Sequence, residues 1–172
     1  MNAAAAPNTR AGRMAARLAA TEDRLSGLVL PAGAGWLARA REAALARVKS
    51  MGLPGKRDEY WRFTDPADLM SDAPKPAEVF QITDEPAMFM GVDRLKIVFI
   101  DGVFSAMDSD PLDEEGLEVI RLSDVAATDI HWAQELYGTL EAEAQTPVQR
   151  PLAALNTARA ADGVLIRVTG QV

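Results

Sequence analysis

The chain has 172 residues, no cysteine and a single histidine, and its formal net charge is −7. The lack of cysteine excludes disulfides, thiolate metal ligands and a cysteine nucleophile, and one histidine excludes a metal site built from several imidazoles. Residues 1–63 carry eleven basic and five acidic side chains, a net of +6, whereas residues 64–172 carry seven and twenty, a net of −13. We interpret this division as attraction between two oppositely charged parts of one fold.

The chain begins with an Ala- and Arg-rich stretch that is similar in composition to a targeting peptide. Arg10, Arg13 and Arg17 interrupt any apolar segment long enough for a secretory signal, although the pattern alone leaves a mitochondrial presequence open. No apolar run approaches the roughly 20 residues of a membrane span. We therefore expect a cytoplasmic location.

Two amphipathic helices are predicted in the first third of the chain. Met14, Leu18 and Leu25 recur at helical spacing between Thr9 and Ser26, and a second apolar face runs from Gly35 to Met51. Because a short connection joins the two segments, we expect them to pack as an antiparallel hairpin.

The most specific motif, GLPGKRDEYWRFT, occupies residues 52–64. Gly52 can adopt a left-handed conformation that ends the second helix, and Pro54 prevents the helix from resuming. Large aromatic side chains usually fill a core, so we expect Trp61 to be buried between the helices and a β region, and Arg62 to pair with Glu59 or with a helix end. A docking surface is the alternative.

A short helix through Leu69 and Met70 is predicted after this motif, because Thr64 is a candidate N-cap and Pro66 suits a first helical position. Prolines and acids without periodicity then indicate a linker over residues 71–93. The predicted domains are accordingly a helical subdomain (1–70), this linker, and a mixed β/α region (94–172).

The mixed region begins with a predicted hairpin. The strand Leu95–Ile100 is followed by Asp101-Gly102, a turn signal that would place Ile100 opposite Val103 and Phe99 opposite Phe104. A single strand bulged at Gly102 is the alternative. Apolar residues between 117 and 122 predict a further short strand, and the small β region is expected to be antiparallel.

The remaining signals alternate between helix and strand. Helices are expected after the short strand at 117–122, with Ser123 or Asp129 as candidate caps, and Trp132, Leu136 and Leu140 recur every four residues along the second of them. His131, near that helix start, is interpreted as a surface or capping residue. Helix 151–161, opened by a proline, and strand 164–168 complete the predicted elements.

Motifs for common chemistries do not occur. The acids between residues 108 and 115 lack the spacing and central glycine of a calcium loop, and neither GxGxxG nor GxxxxGK[ST] is found. We therefore expect no ATPase activity, no enzyme activity and no bound metal or cofactor. A nucleic-acid or anionic-surface binding module, using the basic N-terminal helices, is the alternative function.

Three ordered motifs resemble the SufD family of the SUF iron–sulfur cluster assembly machinery. Gly52-Leu53-Pro54, Glu59 and the run Trp61–Thr64 look like its GLP, acid and W-R-[YF]-T pattern, here with Phe63 where tyrosine is common. The second match is LNTA at 155–158, followed by Asp162-Gly163 and a strand, and the third is the hydrophobic segment 97–104.

The resemblance implies the N-terminal portion of a non-enzymatic scaffold protein, from a truncated form or a divergent short protein. Its fold would be α+β, with a helical hairpin, a small β region and the beginning of a β-helix-like core marked by Asn156, Asp162 and Gly163. Partners similar to SufB and SufC are implied, mainly through regions beyond these residues. The residues implied as a structural or docking motif are Gly52, Pro54, Glu59, Trp61, Arg62 and Thr64.

Overall fold

The computed structural model describes most of the chain, namely residues 9–55, 58, 61–66, 91–100, 102–143 and 149–171. The chain forms two compact units. The first, the helical unit, comprises Met1–Pro74 and Ala126–Ala160, and the second, the strand unit, comprises Lys75–Val125 and Ala161–Val172. Residues 126–160 thus lie with the N-terminal helices. The predicted linker and the helix after Pro66 fall almost entirely outside the described residues.

The first helix of the helical unit, α1, spans Arg10–Leu25. Its N-cap is Thr9, whose Oγ1 accepts a hydrogen bond from the backbone N–H of Gly12 at 3.0 Å. This hydroxyl satisfies one of the backbone donors that every helix start leaves without an intrahelical acceptor. The predicted helix between Thr9 and Ser26 is therefore confirmed to within one residue at each end.

The second helix, α2, spans Gly35–Met51, as predicted. It contacts α1 near its own C-terminus: Lys49 Nζ lies 2.8 Å from Glu22 Oε1, and the Gly52 carbonyl accepts from Arg17. The residue numbers in α1 fall as those in α2 rise, so the helices run antiparallel. These contacts involve the middle and the C-terminal part of α1 and the C-terminal end of α2.

The main packing partner of α2 is α5 (Pro151–Arg159), a helix some hundred residues further along the chain. Pro151 opens α5 at its first turn, as predicted, because proline lacks the N–H that this position leaves unused. The core cluster joins α1, α2 and α5 and includes the motif residue Leu53. Its buried members are Leu25, Val48, Met51, Leu53 and Ala154.

The predicted helix through Trp132, Leu136 and Leu140 is not continuous. A 3-10 turn spans Trp132–Glu135, and the short helix α4 spans Thr139–Glu143. Gly138 lies between them at φ +74°, a conformation incompatible with a continuing right-handed helix. Leu136 and Leu140 are 61% and 76% exposed, so the four-residue spacing did not mark a buried face.

The strand unit contains two antiparallel pairs. Strands β1 (Phe99–Ile100) and β2 (Val103–Phe104) pair with Phe99 opposite Phe104 and Ile100 opposite Val103, which confirms the predicted hairpin register. Gly102, in the turn, has φ +79°. The strand is shorter than predicted: before β1 the chain hydrogen-bonds to the loop at 105–110, where the Val98 N–H donates to Ser109 Oγ at 2.8 Å.

The second pair joins β3 (Leu117–Arg121) to β4 (Val164–Val168), with Leu117 opposite Val168 and Arg121 opposite Val164. A one-turn helix, α3 (Leu122–Val125), follows β3 directly. The mixed composition and antiparallel pairing agree with an α+β fold. In the part of the chain that the structure describes, β4 pairs with an earlier strand in antiparallel fashion, and the expected parallel β-helix is not confirmed.

Candidate functional site

The GLP motif is placed by an arginine on α1. Gly52 follows α2 with φ +74° and ψ 147°, so its φ is positive as predicted but its ψ is not that of the left-handed helical region. The Gly52 carbonyl accepts a hydrogen bond from Arg17 Nη2 at 3.0 Å. A Cβ at Gly52 would lie 2.9 Å from Cγ and Nε of Arg17. Glycine is therefore required by both conformation and space.

The same arginine holds the next turn of the motif. Arg17 Nη1 donates to Asp58 Oδ1 at 3.0 Å, and its Nη2 lies 3.0 Å from Asp58 Oδ2. Asp58 Oδ2 also accepts from the backbone N–H of Gly55 at 3.0 Å. A planar guanidinium presents several donors in a fixed arrangement, which allows one side chain to fix two separate points of a loop.

Thr21 provides a second anchor one turn further along α1. Its Oγ1 accepts from the Leu53 N–H at 2.9 Å and donates to the Arg17 carbonyl at 2.8 Å. Thr21 is 2% exposed, and Pro54, which follows Leu53 in the chain, is also buried. We did not predict this anchor. Its signal in the sequence is the presence of a threonine within the predicted apolar stripe of α1.

Three backbone hydrogen bonds connect the described residues in the rest of the motif. The N–H of Asp58 donates to the Gly55 carbonyl at 2.9 Å, that of Trp61 to Asp58 at 2.9 Å, and that of Thr64 to Trp61 at 3.2 Å. Trp61 is half-buried, whereas Thr64 is exposed. Among the described residues of the motif, Gly52–Pro54 are therefore buried and Arg62–Thr64 are exposed.

The last aromatic of the motif does not fill the core. Phe63 is 93% exposed, and the Arg62 guanidinium carbon lies 5.5 Å from the centroid of its ring. The general expectation that aromatics here serve burial is therefore wrong for Phe63. The predicted pairing of Arg62 with Glu59 lies outside the described residues, because Glu59 is not among them.

The second motif contributes to both units. Leu155, the first residue of LNTA, is partly buried and packs against the core cluster that contains Leu53, so the GLP and LNTA motifs meet in the helical unit. Asn156 itself is exposed, and its carbonyl accepts from the Ala160 N–H at 2.8 Å at the end of α5. Asp162 and Gly163 belong to the strand unit.

Asp162 lies just before β4 and hydrogen-bonds to residues at the end of the β3–β4 pair. Its Oδ1 accepts from the backbone N–H groups of Ser123 and Gly163, at 3.1 and 2.9 Å, and its Oδ2 accepts from the Arg121 guanidinium. Burial raises the pKa of Asp162, but the hydrogen bonds from Arg121, Gly163 and Ser123 outweigh it and leave the pKa below its ordinary value. The carboxylate therefore acts as a structural anion in the strand unit.

A buried arginine lies at the centre of the helical unit and was missed at the sequence level. Arg41 is 1% exposed and donates to three backbone carbonyls, of Pro31, Ala32 and Ala160, at 3.2, 2.9 and 2.7 Å. Nearby, Tyr137 donates to the Thr157 carbonyl at 2.7 Å. Local periodicity does not predict the burial of Arg41, because only the tertiary fold brings the three carbonyl acceptors to its guanidinium.

His131 is the N-cap of the 3-10 turn, which confirms its predicted capping role. Its Nδ1 accepts from the Ala133 N–H at 3.2 Å, and its ring stacks on Trp36 with centroids 6.1 Å apart. Among the described residues no group of three or more His, Asp or Glu side chains is arranged to hold a metal ion. His131 therefore uses both its Nδ1 atom and its ring in contacts within the protein.

Comparison with known proteins identifies the family of this chain. The family described as SufBD protein N-terminal region matches residues 29–172, which is most of the chain. No curated protein and no solved structure gives a significant match. In the described residues, no helix is long and apolar enough to span a membrane. With both motifs lying inside the matched range, the chain belongs to the SufBD family and represents its N-terminal region.

Proposed function

We propose that this chain is the N-terminal region of a SufD-like, non-enzymatic scaffold component of the SUF iron–sulfur cluster assembly complex. Family membership links the chain to SUF cluster assembly. The choice of SufD over SufB rests on the resemblance of residues 52–64 and 155–163 to SufD motifs. Both motifs take part in the packing of the chain, as expected of a scaffold.

The observation that carries the scaffold role is how the chain uses its charged and titratable groups. Arg17, Arg41, His131 and Asp162 each hydrogen-bond to the backbone of a distant or adjacent segment. An active site needs such groups to converge on a space that a substrate can enter. Here they hold turns and helix ends together, which supports a structural role for this region.

The partners follow from the proposed family position. Proteins similar to SufB and SufC would form the complex, mainly through regions beyond these residues, and the complex would act in the cytoplasm. The chain contains no cysteine, so these residues supply no thiolate to a nascent cluster. We propose no cofactor for this region.

Co-expression of the full-length protein with the SufB-like and SufC-like proteins of the same organism tests the proposal. We expect the three proteins to co-elute in size-exclusion chromatography. If the protein forms a complex with the SufC-like protein only when the SufB-like protein is left out, it occupies the SufB position. This result would contradict the SufD assignment. Failure to co-elute in either combination would overturn the scaffold role.

The nucleic-acid alternative has no support in the structure. Arg17, one of the arginines of the basic N-terminal segment, donates to Gly52 and Asp58. Its charge is therefore partly neutralised and directed into the fold. We do not propose this function.

A further inference from the structure

The helical unit is closed by a segment that returns to it late in the chain. Helices α1 and α2 lie in the first third of the sequence, whereas α5, the main packing partner of α2, begins only at Pro151. Ala154 and Ala158 of α5 are completely buried, and so are Ala44 and Val48 of α2. Without α5, apolar surface of α2 would face water, which disfavours a closed fold of α1 and α2 by themselves.

Arg41 couples α5 to the connection between α1 and α2. Its guanidinium donates to the carbonyl of Ala160, the C-cap of α5, and to the carbonyls of Pro31 and Ala32 in the connection. The connection also packs closely on this group, because a Cβ at Gly33 would lie 2.9 Å from Arg41 Nη1. A buried charge that loses an acceptor must be hydrated, and a planar guanidinium cannot turn toward water and keep its other bonds. Loss of either set of bonds therefore weakens the other.

A second hydrogen bond holds α5 to a different part of the helical unit. Tyr137 Oη donates to the carbonyl of Thr157, a buried residue of α5, at 2.7 Å. The rings of Tyr137 and Trp36 pack edge to face with their centroids 5.9 Å apart, and Trp36 is buried at the start of α2. Helix α5 is thus bound to three earlier segments, namely the connection, α2 and the segment around Tyr137.

The chain leaves the helical unit within two residues of the Arg41 contact. Ala160 is held by Arg41 of the helical unit, whereas Asp162 accepts from Arg121 and from the Ser123 N–H, both of the strand unit. The hydrogen-bonded ladder of the strand unit joins residues 117–121 to residues 164–168. Each unit is therefore closed by its own set of bonds.

We propose that Arg41 is the latch of a helical unit that opens as one piece. When the latch breaks, α5 and the connection between α1 and α2 are released together, while the β3–β4 pair stays closed. The GLP residues Gly52–Pro54, which are buried in the closed unit, become accessible only in the open one. This conformational device goes beyond the proposed function and does not depend on it, because it uses contacts within this chain alone.

Hydrogen–deuterium exchange of the full-length protein, at urea concentrations below its unfolding midpoint, tests the latch. Amides that open together come to share one opening free energy under these conditions. We expect the amides of α2 and α5 to merge into one such group and the amides of β3 and β4 to form another. A single group that contains both units, or an α5 that opens apart from α2, would overturn the proposal.

A variant at the latch gives an independent test. Arg41→Lys keeps the charge but replaces the guanidinium by a compact ammonium, which lacks the fork that reaches carbonyls on two segments. We expect exchange in α2 and α5 to become about 10-fold faster or more, because each hydrogen bond to a charged group contributes at least about that factor, and exchange in β3 and β4 to stay unchanged.

Arg39→Lys, at an exposed position of α2, is the matched control and should change exchange by no more than about twofold. Equal acceleration of both units by Arg41→Lys would assign Arg41 to general stability and overturn the latch. The grouping of wild-type amides decides the question even if Arg41→Lys does not fold, because that measurement needs no substitution.

Discussion

The Arg41 guanidinium donates to the Ala160 carbonyl at 2.7 Å and so joins two residues that lie 119 positions apart. Ala160 is the C-cap of α5, where backbone carbonyls have no intrahelical donor and carry partial negative charge. Two further bonds from Arg41 Nη1 reach the carbonyls of Pro31 and Ala32, in the connection between α1 and α2. One side chain thereby links this connection, α2 and α5.

Removing this link should destabilise the protein strongly. We expect Arg41→Ala to lower the free energy of unfolding by about 3 kcal/mol or more, because it removes three hydrogen bonds from a buried charged donor, and hydrogen bonds to charged groups contribute about 1.5–3 kcal/mol each. Urea unfolding followed by circular dichroism measures the change. Arg39→Ala, at an exposed position of the same helix, should change stability by less than about 0.5 kcal/mol. Equal effects of the two substitutions would contradict the assigned role of Arg41.

Gly52 should not tolerate a side chain. Gly52→Ala would place a Cβ 2.9 Å from Arg17 at φ +74°, and we expect a loss of roughly 1–3 kcal/mol from backbone strain alone. Thermal unfolding compares it with Gly27→Ala, where a Cβ meets nothing within 4 Å. The control should be neutral or slightly stabilising. A neutral Gly52→Ala would contradict the positive φ assigned to Gly52.

The carboxylate of Asp162 should make stability depend on pH under acidic conditions. Its pKa is lowered in the folded protein, so its contribution is present above the unfolded value of about 3.9 and is lost as the pH falls through the folded value. We expect Asp162→Asn to lower the urea midpoint at neutral pH. The difference from the wild type should begin to shrink near pH 4, where Asp162 of the unfolded chain takes up a proton, and should be lost as the pH falls through the lower pKa of the folded protein.

A matched acid in the same unit serves as the control for this pH dependence. Asp113 lies in an exposed loop, and Asp113→Asn should leave the urea midpoint at neutral pH nearly unchanged. A difference between Asp162→Asn and the wild type that persists unchanged into strong acid would show that the charge of Asp162 is not what stabilises the β3–β4 pair.

His131 should act through its acceptor nitrogen. Loss of a capping acceptor costs about 1 kcal/mol, so we expect His131→Ala to lower stability by this order and to alter the fluorescence of Trp36, on which the ring stacks. His131→Asn retains a side-chain acceptor and should recover part of the loss. Gln134→Ala, exposed in the same turn, should have little effect. No recovery with asparagine would assign the loss to stacking alone.

Elements with strong local signals were predicted well. Thr9 caps α1, Gly35 and Met51 bound α2, and the Asp-Gly turn set the register of Ile100 opposite Val103. In each case the deciding interaction lies within a few residues of the signal. A cap hydroxyl, a helix-ending glycine or a two-residue turn acts on its own neighbours, so no knowledge of the remaining fold is needed.

Local pattern failed where burial depended on distant segments. The four-residue spacing of Leu136 and Leu140 predicted a buried helical face, but Gly138 breaks the helix and both leucines are exposed. The general expectation that large aromatics fill a core does not hold for Phe63, which is 93% exposed. Arg41 was not singled out, because charged residues are almost never fully buried without partners that only the fold provides.

The sequence by itself determined the family and the local elements, because motif residues and capping signals act over short distances along the chain. Only the tertiary structure decided which helix packs against α2 and why Arg41 is buried. It also decided that Gly52–Pro54 of the motif are buried and that Arg62–Thr64 are exposed. The physical reason is that burial and hydrogen-bond satisfaction depend on segments far apart in sequence. The carbonyl that accepts from Arg41 lies 119 residues away.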